Sequence, residues 1–102
     1  MDVNDAEALR AQVSALASGR TVHILVNNTA GPPGGAASAA QPEDYLAVFR
    51  QHLVANQVLV QSVLPGMRAA KWGRIVNIIS TSVKEPIANL GVSNTIRGAV
   101  AI

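Results

Sequence analysis

Two short apolar runs on either side of one long amphipathic segment limit the possible folds of this chain more than any other feature. Val22–Val26 and Arg74–Ser80 are rich in β-branched residues and too short for helices. The first run does not alternate between apolar and polar residues, which predicts a strand covered on both faces, as in a parallel sheet. Parallel strands need a long crossover connection, and the segment between the runs can supply it.

A long helix is predicted in that crossover, from Pro42 to about Met67. Proline favours the first helical turn, and apolar residues then recur three and four positions apart. His52 and Asn56 lie on or beside this stripe, so each needs a hydrogen-bond partner, since burial without one costs about 1–3 kcal/mol. The stripe consists of Tyr45, Phe49, Leu53, Leu59 or Val60, Val63 and Met67.

A shorter helix is predicted before the first strand. Asn4 is the predicted N-cap, Glu7 follows three residues later, and Gly19 is the predicted stop. The apolar residues at helical spacing are Leu9, Val13 and Leu16. Gly31–Ser38 is a loop by composition. The alternation of helices and strands predicts an α/β fold with right-handed crossovers.

Composition argues against several function classes. The chain has 102 residues, enough for one domain at most, and it has no cysteine, so disulfides, thiolate metal sites and cysteine nucleophiles are absent. A formal net charge of +2, scattered basic residues and three aromatic side chains argue against nucleic-acid binding. No apolar stretch reaches the roughly 20 residues of a spanning helix, and the acidic Met1–Asp5 start is unlike a signal peptide. We therefore expect a cytoplasmic protein without a membrane segment or metal site.

A series of motifs in the right order resembles the short-chain dehydrogenase/reductase family. Thr29 and Ala30 replace the small residue and the glycine of the family's Asn-Asn-Ala-Gly turn. Two further segments, Val83–Ile87 and Ser93–Arg97, resemble a divergent branch of the family that has Ser-x-x-x-Arg in place of Tyr-x-x-x-Lys. The segments that match the family are Asp2-Val3, His23–Ala30, Gln41–Tyr45, Val63–Arg68, Trp72–Ile78 and Ser80 with the helix start thirteen positions later.

The resemblance implies a catalytic corner in which most of the expected residues are exchanged. Ser80 holds the place of the serine that hydrogen-bonds the substrate carbonyl, and His52 that of the catalytic asparagine. Ser93 replaces the tyrosine that acts as general acid or base, and Arg97 replaces the lysine that binds the nicotinamide ribose. A phenol titrates near pH ~10 and a neighbouring cation can lower its pKa, whereas a serine hydroxyl is a far weaker acid. Arg97 stays protonated but can bond ribose hydroxyls.

The same resemblance implies NAD or NADP as cofactor, with contacts from five positions. These are Asp2, Val3, Asn28, Ala30 and Arg97. The chain contains no glycine-rich phosphate-binding motif. The resemblance therefore implies that residues 1–102 form an incomplete Rossmann-type domain, a partial doubly wound parallel sheet that lacks the N-terminal glycine-rich motif and the C-terminal substrate region.

Several candidate residues also have plainer interpretations. Ser80 can cap the turn that follows its strand, and Ser93 is a natural N-cap for a helix through Ile102. Arg97 can lie on a solvated face or at an interface, and His52 can be a core histidine with satisfied hydrogen bonds. Asn27-Asn28 can tie neighbouring strands together.

Three hypotheses on function follow. The intact protein is an NAD(P)-dependent oxidoreductase that acts on a small carbonyl or alcohol substrate. Alternatively, it is a non-catalytic relative that binds the cofactor or dimerises, with a degenerate active site. The third hypothesis is that the 102-residue polypeptide alone is an inactive segment. From the family's habit of pairing its helices, we expect the intact protein to be a homo-oligomer.

Overall fold

The structure is a computed structural model that describes Val3, residues 5–32 and residues 34–102. Within these residues, helices alternate with two strands, and no helix is both long and apolar enough to cross a membrane. The elements are α1 (Ala6–Ala17), β1 (Ile24–Asn27), α2 (Pro42–Phe49), α3 (Ala55–Ala70), β2 (Arg74–Asn77) and α4 (Gly91–Ala101).

The two strands form a parallel pair, as the sequence predicted. Ile24 lies opposite Arg74, and Asn27 lies opposite Asn77. The ladder continues past the strand ends, because the Ile78 amide donates to the Asn27 carbonyl over 2.9 Å. The second strand is shorter than predicted, since it ends at Asn77 and the residues up to Ser80 lead into the next turn.

The prediction that the first strand is covered on both faces is wrong for this chain, and the second strand is more open still. All four residues of β2 are exposed, and the large apolar side chains of Val26 and Val76 keep 55% and 45% of their surface open. The helix α3 packs against β1. The described helices nevertheless leave most of the sheet surface uncovered, so the apolar composition of the strands exceeds what this chain itself buries.

The main core lies between α1 and α3. The buried side chains are Leu9, Val13, Ala55, Val58, Val63 and Met67. The helix α1 is capped by Asp5, whose Oδ1 accepts from the Ala8 amide over 3.0 Å. The predicted cap, Asn4, lies outside the described residues, and the capping side chain is found one position later.

The long helix begins and ends where predicted but is not a uniform α-helix. Gln41 and Asp44 form the N-terminal capping box, and Lys71 ends the helix in the left-handed conformation, with φ 56°. Between α2 and α3, residues Arg50–Val54 form a π-helical turn, closed by the Ala55 amide donating to the Arg50 carbonyl.

The π turn shifts the buried face of the helix relative to the predicted stripe. A π turn holds more residues than an α turn, so the side chains around it point in different directions from those of a uniform helix. Phe49, on the predicted stripe, is 40% exposed, while Tyr45, Leu53, Leu59 and Val60 are half-buried. Val63 and Met67 are buried as predicted, and the other buried residues of the long helix are Val48, His52, Ala55 and Val58.

The start of α4 is tied to the loop after β1. Val48 of α2 packs with Val92 and Ile96 of α4 in a second apolar cluster. The Gly91 amide donates to the Gly35 carbonyl over 3.1 Å. A Cβ on Gly91 would lie 2.5 Å from the backbone of Ala37, so this close approach requires a glycine. The predicted loop at residues 31–38 therefore contains an ordered contact to α4.

Candidate functional site

Three segments meet at the edge of the sheet where both parallel strands end. The turn at residues 28–30 follows β1, and the segment from Ile78 to Ser80 follows β2. The helix α4 contacts the second of these segments, because Arg97 Nη1 donates to the Ile78 carbonyl over 3.0 Å. In open α/β sheets this edge is where ligands bind.

Arg97 and Ser93 lie one turn apart on the same side of α4. Residues four positions apart are neighbours on a helix surface, and Ser93 and Arg97 are 6% and 9% exposed. Arg97 Nε is buried without a hydrogen-bond partner among the described residues. The interpretation of Arg97 as a solvated surface residue is therefore wrong, and a buried guanidinium faces the end of β2.

The N-cap interpretation of Ser93 is also wrong. The helix α4 begins at Gly91, with Leu90 as its N-cap, and no side chain caps it. Ser93 is the third helical residue. Gly91 lets the chain pass close to Ala37, so the helix can start two residues before Ser93, the predicted N-cap.

His52 lies in the π turn and is 3% exposed. Its Nδ1 is 2.9 Å from Thr29 Oγ1, and its Nε2 has no hydrogen-bond partner among the described residues. Burial lowers the pKa of His52, the positive charge of Arg97 lowers it further, and the Ala30 backbone opposes the shift. His52 is thus a neutral imidazole near pH 7, and its core position is confirmed, although only one of its nitrogens is paired.

Ser80 is half-buried and caps the short turn Thr81–Val83. Its Oγ accepts from the Ser82 amide over 3.2 Å, which confirms the capping interpretation, and α4 packs against the same turn. An open cavity of about 780 Å³ borders this serine. Its other lining residues are Ile79, Thr81, Val83, Lys84, Glu85, Pro86 and Ile87.

The turn after β1 combines a buried asparagine with an exposed one. Asn27 is buried and its Nδ2 donates to Asn77 Oδ1 over 2.8 Å, which confirms that it ties the two strands together. Asn28 and Ala30 are exposed. The backbone of Ala30 is held from the long helix, because Gln51 Nε2 donates to its carbonyl over 3.2 Å.

The two remaining predicted cofactor contacts are at the chain start. Asp2 lies outside the described residues. Val3 is half-buried and packs against the α1–α3 core. The structure thus brings Arg97 to the end of β2 and His52 to the turn after β1, whereas Val3 belongs to the helical core.

Sequence reasoning missed Thr29 as a partner of His52. Its replacement of a small family residue was the available signal, but a hydrogen bond across 23 positions has no local pattern. The π turn likewise leaves no periodic signature. In the described part of the chain, no cluster of three or more potential metal-ligating side chains is found.

A parallel strand pair joined by a helical crossover, with polar side chains at the carboxyl edge of its strands, is part of a Rossmann-type α/β layer. Residues 1–100 match the family model described as short chain dehydrogenase, and the chain belongs to this family. The predicted family and fold class are therefore confirmed.

Two solved reductases and one curated protein show the extent of the similarity. The chain is 38% identical over 91 residues to "Granaticin polyketide synthase putative ketoacyl reductase 1" of Streptomyces violaceoruber, a match of 86% of this chain and 34% of that protein. A 3-oxoacyl (acyl-carrier-protein) reductase of Agrobacterium tumefaciens with NADP bound is 28% identical, with a TM-score of 0.87 over 97% of this chain and 38% of that one. L-sorbose reductase of Gluconobacter frateurii, complexed with NADPH and L-sorbose, is 27% identical, with a TM-score of 0.88 over 98% of this chain and 38% of that one. The chain thus spans about a third of the length of these relatives.

Proposed function

We propose that the full-length protein is an NAD(P)-dependent oxidoreductase that interconverts a small carbonyl compound and the corresponding alcohol. The observation that carries this proposal is the hydrogen bond from Arg97 to the Ile78 carbonyl at the carboxyl end of β2, two residues before Ser80, in a chain of the short-chain dehydrogenase family. Both solved relatives described above hold NADP or NADPH, so NADP is the first cofactor to test.

The described residues fit a dinucleotide at this edge. Arg97 Nε is a buried donor without a protein partner, and a ribose hydroxyl supplies the acceptor that such a donor lacks. Asn28 and Ala30 are exposed on the turn that follows the neighbouring strand β1. These three residues would hold the cofactor, whose nicotinamide ring supplies hydride transfer when bound. The contacts predicted for Asp2 and Val3 remain part of the proposal.

Ser80 is suited to orient the substrate carbonyl. A hydroxyl carries one donor and two acceptor positions. Because the Ser82 amide already occupies one acceptor position of Ser80 Oγ, the hydroxyl proton is available to a substrate oxygen in the neighbouring cavity. Donation to that oxygen stabilises the negative charge that develops on it.

Proton transfer falls to His52, Ser93 or a water between them. A serine hydroxyl is a weak acid and needs its own base. His52 is neutral near pH 7, because burial and Arg97 lower its pKa, and its unpaired Nε2 can accept or return a proton. We place the cationic Arg97 as a charge stabiliser rather than a proton donor, since guanidinium does not deprotonate in proteins.

One observation favours the second candidate function, a cofactor-binding protein without turnover. Ser93 is 6% exposed, and a serine is much shorter than the tyrosine that it replaces, so its hydroxyl is poorly placed to reach a substrate. This candidate predicts saturable NADPH binding by calorimetry without NADPH oxidation.

Oligomeric state and location belong to the same proposal. We expect a cytoplasmic homo-oligomer, on the absence of cysteine and on the exposed apolar side chain of Phe49 beside a groove between α1 and the long helix. Size-exclusion chromatography with light scattering tests the oligomer.

Ser80→Ala tests the oxidoreductase directly. With the full-length protein, NADPH and a panel of ketones, we expect kcat/KM to fall about tenfold to a hundredfold, because one preorganised donor to the carbonyl oxygen is lost. Ser38→Ala is the matched control, since Ser38 is exposed on a separate short turn, and it should keep the parental rate. Equal rates for the two variants would remove Ser80 from the mechanism.

A further inference from the structure

We propose that Thr29 is a positioning residue that holds the His52 imidazole with Nε2 as its proton-accepting atom, a role that rests on the proposed function. The oxygen of a threonine on the turn after β1 and a ring nitrogen in the π turn meet across 23 positions of sequence. A side chain without a hydroxyl at position 29 could not make this contact.

The surroundings of the His52 imidazole restrict the orientation of its ring. His52 is 3% exposed, and its Nδ1 is 2.9 Å from Thr29 Oγ1. Rotation of the ring by half a turn would break this hydrogen bond and leave Nδ1 buried and unpaired. The hydrogen bond therefore fixes the orientation of the ring as well as its position.

The same contact selects the tautomer. A threonine oxygen can accept as well as donate, so Nδ1 can carry the proton and donate it to Thr29 Oγ1. Nε2, which has no partner among the described residues, is then an unpaired acceptor. The opposite tautomer would leave a buried N–H unpaired, and orphaned buried N–H groups are the rarer case in proteins. The tautomer with the proton on Nδ1 is therefore favoured.

This tautomer suits the proposed reaction. In alcohol oxidation, the buried Nε2 would accept the hydroxyl proton through water, and the nicotinamide cofactor, when bound, would accept the hydrogen of the broken C–H bond with both of its electrons. A carbonyl forms, and the proton on Nε2 is later released to solvent. The buried charge of Arg97 disfavours the imidazolium before the reaction, so the base is free when the alcohol binds.

The test combines 15N NMR of the histidine ring with steady-state kinetics on the full-length protein. Thr29→Val removes the hydroxyl at nearly constant shape, and Thr29→Ser keeps it. Thr95→Val is the matched control, because it deletes a threonine hydroxyl bonded to the Gly91 carbonyl on the exposed side of α4. If Thr29→Val does not fold, Thr29→Ala takes its place.

We expect the parent, Thr29→Ser and Thr95→Val to show a protonated Nδ1 and an unprotonated Nε2 on His52. Thr29→Val should show a mixture of tautomers, with kcat for alcohol oxidation about tenfold lower and KM within twofold. This is part of the ~10²–10⁴-fold that a positioned acid or base contributes.

Failure of this inference is distinguishable from failure of the proposed function. Ring shifts of Thr29→Val that equal those of Thr95→Val overturn the role of Thr29, whatever the turnover. If the parent oxidises no alcohol and reduces no ketone, the oxidoreductase fails, while a tautomer change in Thr29→Val still supports the positioning of His52. A protonated Nε2 in the parent also overturns the inference.

Discussion

The helical side of the molecule and its sheet bury their apolar residues to very different degrees. Leu9, between α1 and α3, has no exposed surface, whereas Ile24 on β1 is 59% exposed and every residue of β2 is open. Both regions are rich in apolar residues. The helices find enough partners within this chain to close their core, and the strands do not.

This difference follows from the geometry of the two kinds of element. An amphipathic helix has one apolar stripe, which a single antiparallel or crossed neighbour can cover. A strand of a parallel sheet has two apolar faces and two hydrogen-bonding edges, so it needs layers on both sides and a neighbour at each edge. Three predictions test whether the buried positions of this structure contribute more to stability than the exposed ones.

The largest expected effect is at the α1–α3 core. Leu9→Ala should lower the free energy of unfolding of the chain by about 2–5 kcal/mol, because it leaves a cavity at a fully buried position. Val76→Ala, on the open strand β2, should change it by less than about 1 kcal/mol. Urea unfolding followed by circular dichroism measures both. A loss at Val76 as large as that at Leu9 would mean that the strand is covered in solution, for example by self-association.

A smaller effect is expected where α4 meets the loop after β1. Gly91→Ala should destabilise by about 1–3 kcal/mol, because its Cβ would lie 2.5 Å from the backbone of Ala37. Gly98→Ala is the matched control in the same helix. No atom lies within 4 Å of its added Cβ, so it should stabilise by about 0.5–1 kcal/mol through helix propensity. Thermal melts compare the two variants. Loss of stability in both would show that packing is no closer around Gly91 at the start of α4 than around Gly98.

The smallest effect concerns acid. Folding lowers the pKa of His52 from its ordinary value of 6.5 through burial and the charge of Arg97, so below that pH the unfolded chain binds a proton that the folded chain does not. Stability is therefore complete above pH 6.5 and decreases as the pH falls below it. His52→Asn should flatten this decrease, as measured by urea midpoints between pH 7.5 and 5.

The exposed His23 offers the comparison variant for that experiment. His23→Asn changes a histidine on the open side of the molecule, next to Trp72. If His52→Asn and His23→Asn change the pH dependence of stability to the same extent, the burial of His52 does not influence its protonation.

Local patterns predicted the elements of the fold well, because each depends on a few neighbouring residues. The long helix starts at Pro42, where the proline signal indicated, and the left-handed Lys71 ends it four residues after Met67. Burial was predicted less well. The apolar residues of β2 predicted a covered strand, whereas all four residues of β2 are exposed in the structure.

The candidate site shows the same division. Ser80, Ser93 and Arg97 were identified through the resemblance to the family, and the structure brings Arg97 to the end of β2 as the resemblance implies. The partners of these residues did not come from spacing. The contact between Thr29 and His52 and the earlier start of α4 depend on tertiary distances, which a periodic pattern does not contain.

The widened turn at Arg50–Val54 makes the long helix sensitive to chain length. Five residues span a turn there, so loss of one of them would let the backbone return to regular α-helical hydrogen bonding. Everything beyond would then rotate by about 100° per residue removed, and Val58 and Met67 would leave α1. Insertions and deletions in this segment are therefore far less tolerable than substitutions. The number of residues in this one turn sets which side of α3 faces α1 while α2 faces α4.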